Sequence, residues 1–298
     1  MDSKKTNYLL MAILVVNWGF EYVAAKAALD TLAPVTLVFF KYTASMLMFF
    51  AIKLVYDRRF PFKKRDIPYF VLCAAVGDIL YFASEYQAMS YLPISALTIV
   101  LALVPAVSII IEFLLYKRRS NMAIILGVAC CIIGVGMVMG ADIDQLFSGK
   151  LIGYLLAIFA VFAWNTYNFA TEKLTRSYKV LDLSLYQAVG VFIIAAPYVA
   201  FNLPSPSQVN MTVILSVCYL GWLSSGLGLL IYVNAVRVIG VTPVALYSNM
   251  MPITSSFFSV ILLHEAITPL QIAGGIVVIT SACVVIWQKD KSERTDCG

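Results

Sequence analysis

Residues 241–279 read VTPVALYSNMMPITSSFFSVILLHEAITPLQIAGGIVVI, and the fold turns on how they divide. Two apolar runs are separated by one short interruption at His264-Glu265. Beyond it, Thr268-Pro269-x-Gln271 is a capping-box pattern with proline at the first helical position, so a new helix starts there. A helix that crosses a ~30 Å hydrocarbon core needs about 20 mostly apolar residues. The stretch therefore predicts a pair of membrane spans, 242–263 and 268–287. Pro252 falls inside the first of them, where it frees a backbone carbonyl and permits a bend.

The same texture extends outward over the whole chain. Of 298 residues, 61% are hydrophobic and 12% charged, whereas soluble domains carry about a quarter charged residues. This excludes an ordinary soluble enzyme. Apolar runs broken by charge, proline or turn residues predict further spans near 7–28, 34–56, 67–90, 93–116, 121–140, 151–172, 180–201 and 210–235, making ten with the opening pair. Of 21 Lys and Arg, 18 fall on one side, all but Lys26, Lys41 and Lys150. By the positive-inside rule that side is cytoplasmic and holds both termini. The net charge of +5 is thus a topological signal rather than a nucleic-acid footprint. Lys4, Lys5 and Ala25-Lys26-Ala27 imitate a secretory leader, but the first run is long, holds Trp18 and Glu21, and has a later counterpart, so it reads as a retained span.

Shifting the second half back by 147 positions places Ala235 on Ala88, Thr242 on Ser95, Pro252 on Pro105 and Gly274 on Gly127; Trp164 meets Trp18 at a shift of 146. The expected domains are residues 1–145 and 146–298, five spans each. An odd number inverts the second copy in the membrane, which is a transporter arrangement: two similar halves rock about a midplane site. The expected fold is all-α, ten transmembrane helices in two inverted-topology repeats.

On these residues the chain resembles the drug/metabolite transporter superfamily in its ten-span EamA type, from about Tyr8 to Trp287. Val241-Thr242-Pro243, Pro252, Leu263-His264-Glu265, Thr268, Gln271 and Gly274 look like the family's ninth and tenth spans, and Pro34 with Lys41 like its second. In the first half Arg118 stands where Glu265 falls in the second. The resemblance implies a secondary transporter, often an exporter of amino acids or amines, whose central cavity is lined by spans 1 to 4 and 6 to 9, with spans 5 and 10 peripheral.

Ionisable residues inside spans are costly and usually face a bundle interior. Glu21 lies roughly 20 Å and Trp18 roughly 15 Å into span 1. In span 3, Asp78, Tyr81, Phe82 and Glu85 follow i, i+3, i+4, i+7 spacing and share one helix face, with Tyr86 beside it. Lys41 either reaches the outer headgroups, pairs with Glu21 or Glu85, or docks a substrate carboxylate. Glu112 reads as a salt-bridge partner near Tyr116 and Lys117. Trp18, Tyr22, Tyr81, Phe82 and Trp164, with Asn168 on span 6 and Asn249 on span 9, complete the candidate binding set. Rings beside carboxylates hold an ammonium group by charge and cation–π attraction; the bland reading makes them core packing. Ser224, Ser225, Tyr232, Ser248, Ser255 and Ser256 offer neutral polar groups, so the cavity is expected to be acidic on the first-half side. Pro105 and Pro252 are candidate gate hinges, or static kinks.

No catalytic residue, metal or cofactor is expected. Cys73, Cys130, Cys131, Cys218 and Cys283 lie inside apolar runs and Cys297 in the tail, without a C-x-x-C pair. His264 is the only histidine, and Glu265 reads as ordering a loop. Gly127, Gly134, Gly136, Gly274 and Gly275 suit close helix approach, and no ATP-binding loop is present. The expected function is proton-coupled export of a small amine or amino acid across the cytoplasmic membrane by alternating access, as a monomer or homodimer in the bilayer. The rivals are a quaternary-ammonium or lipophilic-cation transporter and, outside transport, an intramembrane or lipid-modifying enzyme.

Overall fold

The computed structural model describes residues 3–116, 122–140, 150–239, 244 and 247–296. Every regular element among them is helical. Helices α1 (Ser3–Leu29) and α2 (Pro34–Tyr56) lead into a composite α3: Ile67–Leu72, a π-helical stretch Cys73–Leu80, then Tyr81–Ala88. There follow α4 (Ile94–Leu101), α5 (Val104–Tyr116), α6 (Met122–Gly140), α7 (Lys150–Thr175) and α8 (Val180–Phe201). Helix α9 is composite again, Met211–Cys218, a π-helical stretch Tyr219–Leu227, then Gly228–Ile239. The last two are α10 (Met251–Leu263) and α11 (Pro269–Asp296).

Among the described residues eight helical stretches are long and apolar enough to cross a membrane, and Met122–Val138 and Met251–Leu263 are shorter apolar helices. Leu47, Phe50, Ile132, Ile133, Leu155, Phe159 and Ile193 lie on the outside. Such a surface is a liability in water and the natural exterior of a protein whose solvent is lipid. The chain is an integral membrane protein.

Two departures from the sequence reading concern proline. Residues 93–116 are expected to be one bent span, and Ile94–Ile111 is one apolar stretch of spanning length, but within it the helix stops at Leu101, turns through Ala102-Leu103, and restarts at Val104. Pro105 therefore sits in the first turn of a new helix, where its missing N–H leaves no bond unmade. Pro252 does the same in α10, just after the Asn249-Met250 turn. Both sites are interruptions, not kinks inside a continuous helix. Asn165 Nδ2 donates to Val104 O at 3.3 Å and to Val161 O at 2.9 Å, serving the backbone beside the break.

Helix contacts order the two ends of the bundle. At one end Lys179 Nζ meets Asp57 Oδ2 at 3.0 Å, the Tyr186 hydroxyl donates to Pro61 O at 3.0 Å, and Lys63 N–H donates to the Tyr178 hydroxyl at 3.0 Å. The chain's N-terminal helix starts and the basic α2–α3 segment lies at this end, called here the basic end. At the opposite end Lys26 pairs with Glu265 at 3.0 Å, and the other Glu265 oxygen accepts the Ile94 N–H at 2.9 Å. Thr268 and Gln271 form the expected reciprocal cap, at 3.0 and 3.2 Å.

Helices α6 and α11 pack closely against each other, and glycine permits it. A Cβ on Gly274 would lie 2.6 Å from Gly134 O, and one on Gly127 would lie 2.4 Å from Val285 Cγ2. Gly136, by contrast, faces open space. Val241-Thr242-Pro243, Lys117, Arg118, the side chain of Glu112 and the expected boundary at 145/146 lie outside the described residues.

Candidate functional site

Residues of α1 to α5 and α7 to α10, with Ile286 of α11, line a cavity of about 730 Å³. It runs from Trp18 and Glu21 in α1 to Glu172 and Thr175 at the end of α7, both exposed at the basic end. None of the residues that tie the opposite end together, Lys26, Ile94 or Glu265, lines it. The cavity thus reaches the basic end and stops short of the other.

Three in-span carboxylates face it, each held differently. Glu21 is neutralised: Lys41 pairs with its Oε1, Ser224 donates to its Oε2, and the Tyr86 hydroxyl stands 3.3 Å from Oε1. Lys41 is fully buried, lies 3.0 Å from the Tyr86 hydroxyl and sits over the Phe82 ring at 3.5 Å from its centroid. Of the arrangements the sequence allowed, the pairing with Glu21 is the one seen here, and Lys41 does not itself line the cavity. A buried charge of this kind is tolerated because its counter-charge and hydrogen-bond partners are all in place.

Glu85 forms no ion pair among the described residues. Its Oε1 accepts from the Tyr22 hydroxyl at 2.8 Å and the Tyr81 hydroxyl at 3.1 Å. Asp78 forms none among them either. Its Oδ1 accepts from the Tyr42 hydroxyl at 2.6 Å, and its Oδ2, although buried, has no hydrogen-bond partner among the described residues. Aromatic rings connect the two acids: Tyr81 meets Phe82 at 4.7 Å and Trp164 at 4.8 Å, and Trp164 stacks on Tyr167 at 4.9 Å and 18°.

The π-helical stretch Cys73–Leu80 is what sets Asp78 in place. A π turn widens the helix and rotates the residues beyond it, and such turns recur at functional sites. Gly77 lets Tyr167 close in, since a Cβ there would lie 2.3 Å from the ring. The second π-helical stretch, in α9, carries Ser224 to Glu21. Neither stretch is visible as a composition signal.

Of the residues singled out in the sequence, Trp18, Glu21, Tyr22, Asp78, Tyr81, Phe82, Glu85, Trp164, Asn168 and Asn249 line the cavity, as do Pro105 and Pro252; Lys41 stands behind Glu21. The sequence reading did not pick out Tyr42, Tyr167, Ser184 and Gln187, which line it as well. Tyr42 adjoins Lys41 and could have been suspected; the other three carried no signal. Also unforeseen was the buried pair of Lys53 with Asp182, which joins α2 to α8 near the basic end. Among the described residues no group of three His, Cys, Asp or Glu could hold a metal ion.

The sequence profile of the EamA-like transporter family matches residues 5–140 and again residues 151–287. The chain belongs to this family. It is therefore a membrane transporter and not an enzyme. Full-length relatives agree. The chain is 24% identical over 290 residues to "Uncharacterized transporter YvbV" of Bacillus subtilis (strain 168), covering 95% of this chain and 92% of that one. It is 24% identical over 308 residues to "Probable amino-acid metabolite efflux pump" of Escherichia coli (strain K12), covering 96% and 98%. It is 22% identical over 276 residues to "Probable terminal-alkyne amino-acid exporter" of Streptantibioticus cattleyicolor, covering 92% and 91%. A solved crystal structure superposes with a TM-score of 0.65 at 17% identity, covering 95% of this chain and 98% of the other, so the two share a fold.

Proposed function

We propose that this EamA-like protein is a secondary active transporter that exports a small amine-bearing metabolite across the cytoplasmic membrane in exchange for protons. The observation that carries the reading is an aromatic-walled cavity in which Asp78 and Glu85 lack any cation among the described residues. A desolvated carboxylate with only neutral hydroxyl partners binds either a proton or a cation, and the two compete at one site. Such competition couples their fluxes in opposite directions. The duplicated family match and the helix breaks at Pro105 and Pro252, 147 positions apart, support two inverted five-span repeats that rock about this cavity. With both termini cytoplasmic, a cavity that reaches the basic end corresponds to the inward-facing state. Relatives named as amino-acid exporters and efflux pumps favour export. The aromatic lining also favours a second reading, transport of lipophilic or quaternary cations.

The test is flux in proteoliposomes of amino acids, amines and quaternary cations, with and without a pH gradient. Saturable amine flux accelerated by an opposing proton gradient is the expected result. No saturable flux of any of these solutes would sink the proposal.

A further inference from the structure

We propose that the cavity is shaped for a linear diamine, a dication without a carboxylate, with one ammonium group at Asp78 and the other at Glu85. This rests on the amine-transporter reading above and narrows it. The first observation is charge balance. Among the described residues the cavity lining contains four acids and no Lys, Arg or His. Glu21 is cancelled by Lys41, and Glu172 pairs with Arg176 at 3.1 Å. Asp78 and Glu85 remain, two carboxylates in one cavity. A zwitterionic amino acid would place its own carboxylate here with no cation to receive it; a dication restores neutrality.

The second observation is an oxygen without a partner. Asp78 is 2% exposed and its Oδ2 makes no hydrogen bond among the described residues. A buried acceptor left unpaired is costly, and an ammonium donor is what the position lacks. The third is spacing. Seven residues separate the two acids along α3, about 10 Å of helix rise. Two ammonium groups joined by a four-carbon chain, each with a charge-assisted hydrogen bond of about 2.8 Å, match a separation of this order. Phe82, Tyr81 and Trp164 form an apolar and π-faced wall for the methylenes between them.

Three probes separate the possibilities: diaminobutane, butylamine with one ammonium removed, and ornithine, which is diaminobutane bearing a carboxylate. Flux into proteoliposomes and quenching of Trp18 and Trp164 fluorescence in detergent are measured for each. The expected result is that diaminobutane exceeds butylamine and ornithine at least tenfold in kcat/KM and in affinity. Asp78→Asn and Glu85→Gln each reduce the diaminobutane-to-butylamine ratio to within about threefold of unity. Ornithine equal to diaminobutane overturns the exclusion of carboxylates, and butylamine equal to it overturns two-point binding. Flux of neutral amino acids without any amine flux overturns this inference and leaves the transporter reading standing. Saturable diaminobutane binding without flux of any solute keeps the site and removes the transport function.

Discussion

Glu21 and Lys41 show what a membrane interior demands of single residues. Both are ionisable, both sit among helices, and each makes the other tolerable. Removing one partner of a buried pair typically costs about 3–5 kcal/mol, because the other charge is stranded, while replacing both can be nearly neutral. Glu21→Gln is therefore expected to lower stability by about that amount in detergent unfolding, and Lys41→Met added to it to recover most of the loss. Additive losses in the double variant would show that the pair is not coupled. His264 obeys a different rule. It is the one non-glycine residue among those described with positive φ, at 54°, and it ends α10 in the left-handed region. The N–H of Glu265 then returns to Ser259 O at 3.2 Å, as in a helix-terminating motif. His264→Val is expected to cost about 1–2 kcal/mol and His264→Gly nothing, read as the midpoint of thermal unfolding in micelles.

At the scale of elements, the His264-Glu265 pair emerges as a connector. The left-handed residue turns the chain so that Glu265 reaches both Lys26 of α1 and the first N–H of α4. A carboxylate at a helix N-terminus satisfies an orphan donor and complements the helix dipole. Glu265→Gln keeps an acceptor for Ile94 and loses the ion pair, which is partly exposed and worth about 0.2–1 kcal/mol. Glu265→Ala also removes the cap, worth a further 0.5–2 kcal/mol or so. The expected order of thermal stability is wild type, then Glu265→Gln, then Glu265→Ala; equal losses in both variants would mean that the cap contributes nothing. The α6–α11 contact depends on size alone. Gly274→Val would drive side-chain atoms into the Gly134 backbone, and overpacking of this kind costs about 1–3 kcal/mol. The substitution should lower thermal stability while leaving the cavity's ligand affinity unchanged.

Across the whole molecule, charge at the basic end joins helices far apart in sequence. Asp57 lies between Lys179 and Lys53, at 3.0 and 3.3 Å, and Lys53 pairs in turn with Asp182. The Lys179 hydrogen bond above all, followed by the Arg59 N–H, holds the Asp57 carboxyl down to about 2. For an acid whose folded pKa is depressed, the stabilisation is fully present above its unfolded value near 4 and is lost as pH falls through about 2. Asp57→Asn should therefore narrow its stability difference from wild type between pH 4 and pH 2 and hold it constant from pH 5 to 7, as measured by thermal unfolding across that range. A difference independent of pH would remove Asp57 from the network. Much of this molecule is legible without coordinates. The 61% apolar content, the run lengths and the capping box at Thr268 identify membrane helices, because a bilayer forces every backbone polar group to be satisfied within its own segment. Glu21, Asp78 and Glu85 stand out for the same reason: acids among apolar residues are too costly to be incidental. Pairing is not legible. That Lys41 cancels Glu21 and leaves Asp78 and Glu85 to face the cavity, that two helices break before Pro105 and Pro252, and that π turns set Asp78 and Ser224, all depend on contacts between segments up to 203 residues apart. Periodicity reports which face of a helix is apolar, but only the packed bundle decides which charge meets which.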